Sequence, residues 1–267
     1  MENKLGGHTN SYHTYSLDEA LEGIAASGFK SVELSAVRGW TEHVSLDSTD
    51  ADLQKLQDKL KIFGLEAMSL SGHSDLTKPE GLERGKKALD LCHKLGITIM
   101  NTAIGGHYSE KEDEEAFLRH IGELADYAEE RGVTVALEIH GEIMATGALT
   151  VPLMAKIARP NIRVNYDTAN VVFYGGKRAV EDLPHILPWL AHVHLKDTAG
   201  GCREWCFPPL GQGHVDFKAI LDILGTAGYK GPLSVEIEFY GEPWPPLEEV
   251  NRAMKISYEH LKGLGLS

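Results

Sequence analysis

A single (β/α)8 TIM barrel spanning residues 1–267 is the fold this sequence predicts, and three observations point to it. Short β-rich runs alternate with amphipathic helical runs from end to end. Eight such units fit the 267 residues. No proline- or serine-rich linker and no low-complexity tract separates them. Strands that alternate with helices pair in parallel beneath them, and eight units at this length suit a closed barrel better than an open doubly wound sheet. The open sheet is the alternative, but no strand-to-helix junction carries its G-x-G-x-x-G phosphate turn.

Each element has a local reason. A weak, glycine-rich first strand is expected around residues 4–12. Ser16 and Glu19 form a capping-box pattern ahead of LDEALEGIAASG, which ends at Gly28, and FKSVELS (29–35) then reads as a strand. The helical run ADLQKLQDKLKIFG (51–64) leads to LEAMSLSGH (65–73), and LERGKKALDLCHKLG (82–96) leads to ITIMNTAIG (97–105). Next come EEAFLRHIGELADYAEERG (114–132) with VTVALEIHG (133–141), and LTVPLMAKIA (149–158) with IRVNYDT (162–168). A helix over AVEDLPHILPWL (179–190) precedes AHVHLKD (191–197), and FKAILDILGTAG (217–228) precedes GPLSVEIEF (231–239). PPLEEVNRAMKISYEHLKG (245–263) is the closing helix.

Composition narrows the function. Lys and Arg number 26 against 39 Asp and Glu, so the net charge is 26 − 39 = −13, which opposes binding to nucleic acid or an anionic membrane. The N-terminal MENKLGGHTN has no apolar signal core, and no apolar run approaches the roughly 18 residues of a membrane span. Three cysteines, Cys92, Cys202 and Cys206, suit a reducing compartment rather than a disulfide scaffold, and a cytoplasmic protein is expected. The spacing of Cys202 and Cys206 lacks the two-residue gap of a zinc pair.

Four consecutive strands finish on polar residues: Glu138 and His140, Asp167 and Asn170, His194 and Lys196, Glu236 and Glu238. In a barrel the C-terminal strand ends open onto one mouth, where active sites sit. Three carboxylates and an imidazole converging there would be costly unpaired, because like charges repel and burial penalises each. A divalent cation resolves that cost. The set Glu138, Asp167, His194 and Glu236 is oxygen-rich with one nitrogen, which suits Mn²⁺, Mg²⁺ or Co²⁺, with Zn²⁺ compatible.

ALEIH, NYDTAN, HVHLKD, the loop LGQGHVDF and SVEIE, in this order and spacing, resemble the xylose-isomerase-like TIM-barrel superfamily of sugar isomerases, epimerases and dehydratases. The resemblance implies that Glu138, Asp167, His194 and Glu236 are the four metal ligands, that Mn²⁺ is the expected ion, and that the two glutamates form an acid/base pair. It also implies a homodimer or homotetramer. Chemistry agrees: a proton next to a sugar carbonyl leaves only if the developing enediolate is stabilised, which a divalent ion does as a Lewis acid. Return of the proton on the opposite face is epimerisation, its transfer to the adjacent carbon is isomerisation, and loss of a β-hydroxyl is dehydration. A sugar epimerase or isomerase is the expectation. An inosose-type keto-cyclitol dehydratase is the alternative.

Other residues are weighed individually. His140 shares the face of Glu138 and is expected to bond a substrate hydroxyl; Lys196 could polarise an oxygen or bind an anion, and an exposed lysine is the plain alternative. His73, His107 and Asn170 are further candidates for the mouth, and Glu33 for support beneath it. Trp205 and Phe207 lie on a long loop that could cover the pocket. His192, deeper in the strand than His194, reads as a core histidine or a partner beneath the metal, and Asp197 as the start of the loop. Lys196 is the one basic residue that the sequence places at the mouth, which favours a free sugar over a sugar phosphate. The related zinc-dependent apurinic endonucleases carry a histidine where Asn170 stands here and an Asp-x-His pair after strand 7, and both are missing. A non-catalytic barrel is opposed by the retained pair of glutamates.

Overall fold

The computed structural model describes residues 3–105 and 111–266. Parallel strands β1 (Leu5–His8), β2 (Ser31–Ser35), β3 (Glu66–Ser71), β4 (Ile99–Thr102), β5 (Thr134–Glu138), β6 (Ile162–Asp167), β7 (Leu190–Leu195) and β8 (Leu233–Val235) close into one barrel. Each strand pairs with the next, and β8 returns to β1 through Gly6 against Ser234. The barrel expected from the alternation is therefore the fold observed.

Around it lie α1 (Leu17–Ser27), α2 (Asp50–Phe63), α3 (Pro79–Leu95), α4 (Lys111–Glu129), α5 (Gly147–Ile157), α6 (Asn170–Phe173), α7 (Ala179–Asp182), α8 (Phe217–Thr226) and α9 (Leu247–Gly263). The reciprocal capping box of Ser16 and Glu19 starts α1, and Gly28 ends it in the left-handed conformation that favours glycine. Helices α1 and α9 pack together, with Ala20, Leu21 and Ile24 buried on one and Val250, Ala253 and Met254 on the other. Among the described residues no helix is long and apolar enough to cross a membrane.

Three elements differ from expectation. The helix expected over 179–190 is a single turn, α7, followed by two 3-10 turns at Leu183–His185 and Leu187–Trp189. Pro184 and Pro188 explain it: each lacks an amide proton and its ring crowds the preceding turn. The first strand ends at His8, and Thr9–Tyr12 is 3-10. The eighth stops at Val235, so Glu236 and Glu238 lie just beyond it, with the Glu236 amide still donating to Leu195 O at 3.1 Å.

Register carries the side chains to one level. Glu138 lies opposite Asn165, Asp167 opposite His194 and His194 opposite Ser234. Glu236 is two residues past Ser234, on the same face and one step nearer the mouth. Barrels of this type usually fill their interior with branched apolar residues. Here the interior is polar: Glu33, Ser69, Asn101, Asn165, His192 and Ser234 are fully buried.

Candidate active site

The strand ends enclose a cavity of about 470 Å³ lined by Glu138, Asn170, Lys196, Glu236 and Glu238 on its polar side and by Trp40, Phe173, Trp205 and Phe207 on its aromatic side. At its floor Glu138, Asp167, His194 and Glu236 each offer one atom, all within 4.8 Å of one another. His194 Nδ1 lies 3.6 Å from Glu236 Oε2, 3.7 Å from Glu138 Oε2 and 4.0 Å from Asp167 Oδ2.

Hydrogen bonds from behind and from the sides hold these four residues in place. His194 Nε2 donates to Glu33 Oε2 at 3.0 Å, and Asn101 Nδ2 holds the other oxygen of Glu33 at 2.6 Å. Asp167 Oδ1 accepts the amides of Ala169 and Asn170 at 2.8 and 2.7 Å. Glu138 accepts from His73 Nε2 at 2.7 Å and from Asn170 Nδ2 at 2.9 Å. Glu236 Oε1 accepts from His8 Nδ1 at 3.0 Å and Asn10 Nδ2 at 2.9 Å, while Oε2 faces Lys196 Nζ at 3.4 Å.

Two buried atoms at the centre, His194 Nδ1 and Asp167 Oδ2, have no hydrogen-bond partner. Buried polar atoms are seldom left so. Electrostatics agree. Burial, and then the neighbouring Glu138 and Glu236, push the Asp167 carboxyl up to about 7 despite Lys196. Burial opposes charge on His194, but Glu33, Glu236 and Glu138 outweigh it and hold the imidazole well above its ordinary value. Burial likewise pushes Glu138 up, yet His194 and His73 bring it below the usual carboxylate range. A cluster that draws protons onto Asp167 and His194 lacks positive charge, and a divalent cation would supply it. The donor set of three carboxylates and one imidazole fits such an ion. Two smaller groupings, His8 with His194 and Glu236 and Glu33 with His192 and His194, reuse His194 and offer three groups each where the first set offers four.

Lys196 is 2 % exposed, not solvated. Its ammonium pairs with Glu238, lies 3.4 Å from Glu236 and 3.8 Å from Asp167, and stands 4.4 Å over the Phe207 ring. Burial disfavours its charge, but Glu238, Glu236 and Asp167 together keep it protonated. Arg38 and Arg84 also line the cavity, so Lys196 is not alone among basic residues there, and the preference for a free sugar drawn from that loses its basis. His140 lines the rim and is hydrogen-bonded to the Tyr174 hydroxyl at 2.8 Å. His107 lies outside the described residues.

His192 is fully buried between Ser69 Oγ and Asn165 Oδ1, each at 3.0 Å, and burial holds it down at about 3, hence neutral. Asp197 accepts the amides of Gly211, Gly213 and Val215 at 2.9, 2.8 and 3.1 Å and so folds the loop after β7 back on itself. A Cβ on Gly213 would come within 2.3 Å of that carboxylate, so only glycine allows the approach. His8, Asn10, Trp40 and Tyr174 escape the sequence reading; His8 ends β1 as the other candidates end their strands, but its glycine-rich strand gave it no pattern.

Among known proteins the chain is similar to the L-ribulose 3-epimerase of Methylomonas sp. (strain DH-1), 25% identical over 258 residues covering 87% of this chain and 84% of that one. It is similar also to the L-ribulose-5-phosphate 3-epimerase of Salmonella typhi, 26% identical over 227 residues covering 73% of this chain and 76% of that one. The crystal structure of a xylose isomerase domain protein from Planctomyces limnophilus superimposes with a TM-score of 0.79 at 21% identity, covering 99% of this chain and 98% of the other. Residues 21–262 match the family described as xylose isomerase-like TIM barrel, and the chain belongs to that family.

Proposed function

We propose that the protein is a divalent-metal-dependent sugar epimerase or isomerase, one barrel domain acting in the cytoplasm on a small carbonyl sugar. Glu138, Asp167, His194 and Glu236 would hold the ion, Mn²⁺ being the first choice, and Glu138 and Glu236 would form the acid/base pair. The observation that carries this reading is the pair of unpartnered atoms, His194 Nδ1 and Asp167 Oδ2, set between two glutamates at the floor of an open cavity. Similarity to two 3-epimerases of ribulose and its phosphate supports the reaction class.

When bound, a divalent ion supplies Lewis-acid stabilisation of the negative charge that develops beside a carbonyl losing its α-proton. The chain supplies the rest. Glu236, with Oε1 fixed by His8 and Asn10, and Glu138, fixed by His73 and Asn170, come from opposite neighbours of Asp167 and His194 in the barrel order. One carboxylate takes and keeps the α-proton, and the other, protonated beforehand, gives its own proton to the opposite face. Lys196, buried and charged, and His140 at the rim are placed to orient substrate oxygens. Dehydration is the second reading, favoured by the Lys196 ammonium beside Glu236, since a positive charge there eases departure of a hydroxyl.

Proton-deuterium exchange tests the proposal. The Mn²⁺-loaded protein in D₂O should place deuterium next to the carbonyl of at least one member of a panel of ketoses, ketose phosphates and inososes, and chelation should stop it. A product lighter by one water would select dehydration. Absence of exchange across the panel, with metal bound, would remove the proposal.

A further inference from the structure

Two indoles stand at the mouth in a manner that the proposed proton transfer does not require. Trp40 is 44% exposed and Trp205 41%, and both line the cavity. Neither is loose. Trp40 Nε1 donates to Asn10 Oδ1 at 3.0 Å while its ring stacks on His13 at 3.8 Å between centroids, 17° from parallel. Trp205 Nε1 donates to Glu238 O at 3.4 Å and its ring meets Phe207 edge-on at 5.1 Å and Phe173 at 5.9 Å. With both N–H groups satisfied inside the protein, the exposed part of each indole is mainly ring carbon, which gains by being covered. Rigid mounting means little entropy is lost when a ligand covers it.

Both platforms are anchored to the catalytic end of the cavity. Asn10, which holds Trp40, also donates to Glu236 Oε1, and the carbonyl that holds Trp205 belongs to Glu238, the partner of Lys196. The cavity is larger than one sugar. At about 30 Å³ per water in the liquid, 470 Å³ has room for about sixteen waters. A hexose has only twelve non-hydrogen atoms, bonded closer together than waters pack.

Resting on the proposed reaction, we infer that the substrate is a carbonyl sugar carrying a second ring, joined at a carbon remote from the carbonyl, with that ring lying on Trp40 or Trp205. The shared chemistry is a flat apolar face, the C–H face of a second sugar or an aryl group.

Direct binding to the Mn²⁺-loaded protein, read by calorimetry, decides the matter with three probes: fructose, 6-O-glucosylfructose and 6-O-benzylfructose. At least one two-ring probe should bind about tenfold or more tighter than fructose, and which one does so separates a saccharide from an aryl substituent. The ratio to fructose, measured within each variant, should fall towards one in Trp205→Ala or Trp40→Ala and recover in the matching Phe variant. A ratio near one in the unaltered protein, or a ratio unchanged in both Ala variants, would overturn the inference. The two readings fail separately: exchange on fructose with no two-ring preference removes only this inference, whereas a Trp-dependent preference without exchange on any probe removes only the proposed reaction.

Discussion

The two halves of the barrel mouth divide the work unequally. Strands β5 to β8 and their ends supply Glu138, Asp167, His194, Lys196 and Glu236, whose atoms meet at the cavity floor. Strands β1 to β3 and the residues just past them supply His8, Asn10, Glu33 and His73, each bonded to a member of the first group. One half brings unpartnered atoms together at the cavity floor, and the other holds the side chains that carry them and their neighbours. Chemistry thus concentrates in the half whose unpartnered atoms meet at the cavity floor, while the half that positions it bonds to those residues from behind and looks, residue by residue, like ordinary buried polarity.

Substitutions should grade along that division. The largest effect is expected in the β5–β8 half: Glu236→Gln or Glu138→Gln keeps shape but removes the proton acceptor, and exchange in D₂O should fall by about 10²- to 10⁴-fold. Retention of more than a tenth of the rate in both would break the comparison. Next comes Glu33→Gln, which leaves the four clustered residues intact but removes the carboxylate behind His194 Nε2. A loss of about 10- to 100-fold in Mn²⁺ affinity is expected by calorimetric titration, with turnover recovered at saturating metal. An unchanged affinity would mean that the β2 residue is mere packing.

The same division explains what was legible. Eight strands with helices between them are written in the alternation of apolar runs, and polar residues after four successive strands mark one rim. Glu33 and His192 are different: they sit within strands on the inward face, where a polar residue in an apolar run looks the same whether it bonds a core neighbour or a catalytic one. His8 ends, and Asn10 follows, a strand that is half glycine, and Gly6 is needed there because a Cβ would press against Met68 and the Ser31 carbonyl at 2.6 and 2.7 Å. That close approach erases the apolar pattern that would have marked the strand end. The segment at 179–190 has the apolar spacing of a helix, but Pro184 and Pro188 override that spacing and break it into short turns.

A smaller effect is expected from Asn10→Ala. It strips one of two donors from Glu236 Oε1 and the acceptor that Trp40 and Thr41 share, at 3.0 and 2.7 Å. Leaving such groups unsatisfied costs about 1–3 kcal/mol. Because His8 still holds the same oxygen, kcat/KM should drop by about tenfold rather than collapse. A loss equal to that of Glu236→Gln would move Asn10 from the positioning half into the reacting one.

The smallest effect tests whether the positioning half has a pH response of its own, away from the carboxylate cluster. His43, on the loop after β2, bonds the Tyr15 carbonyl through Nε2 at 2.9 Å, and its buried Nδ1 has no partner. Burial holds it below its ordinary value. An unfolded chain therefore takes up this proton near about pH 6.5, while the folded protein resists until lower pH. The unfolded state binds more protons in that window, so stability is full above it and declines as pH falls through it. Urea midpoints at about pH 7 and about pH 5 should differ less in His43→Gln than in the unaltered protein. Equal differences in the two proteins would assign the acid sensitivity to the cluster at the β5–β8 strand ends instead, and the two halves would then differ in chemistry but not in their response to pH.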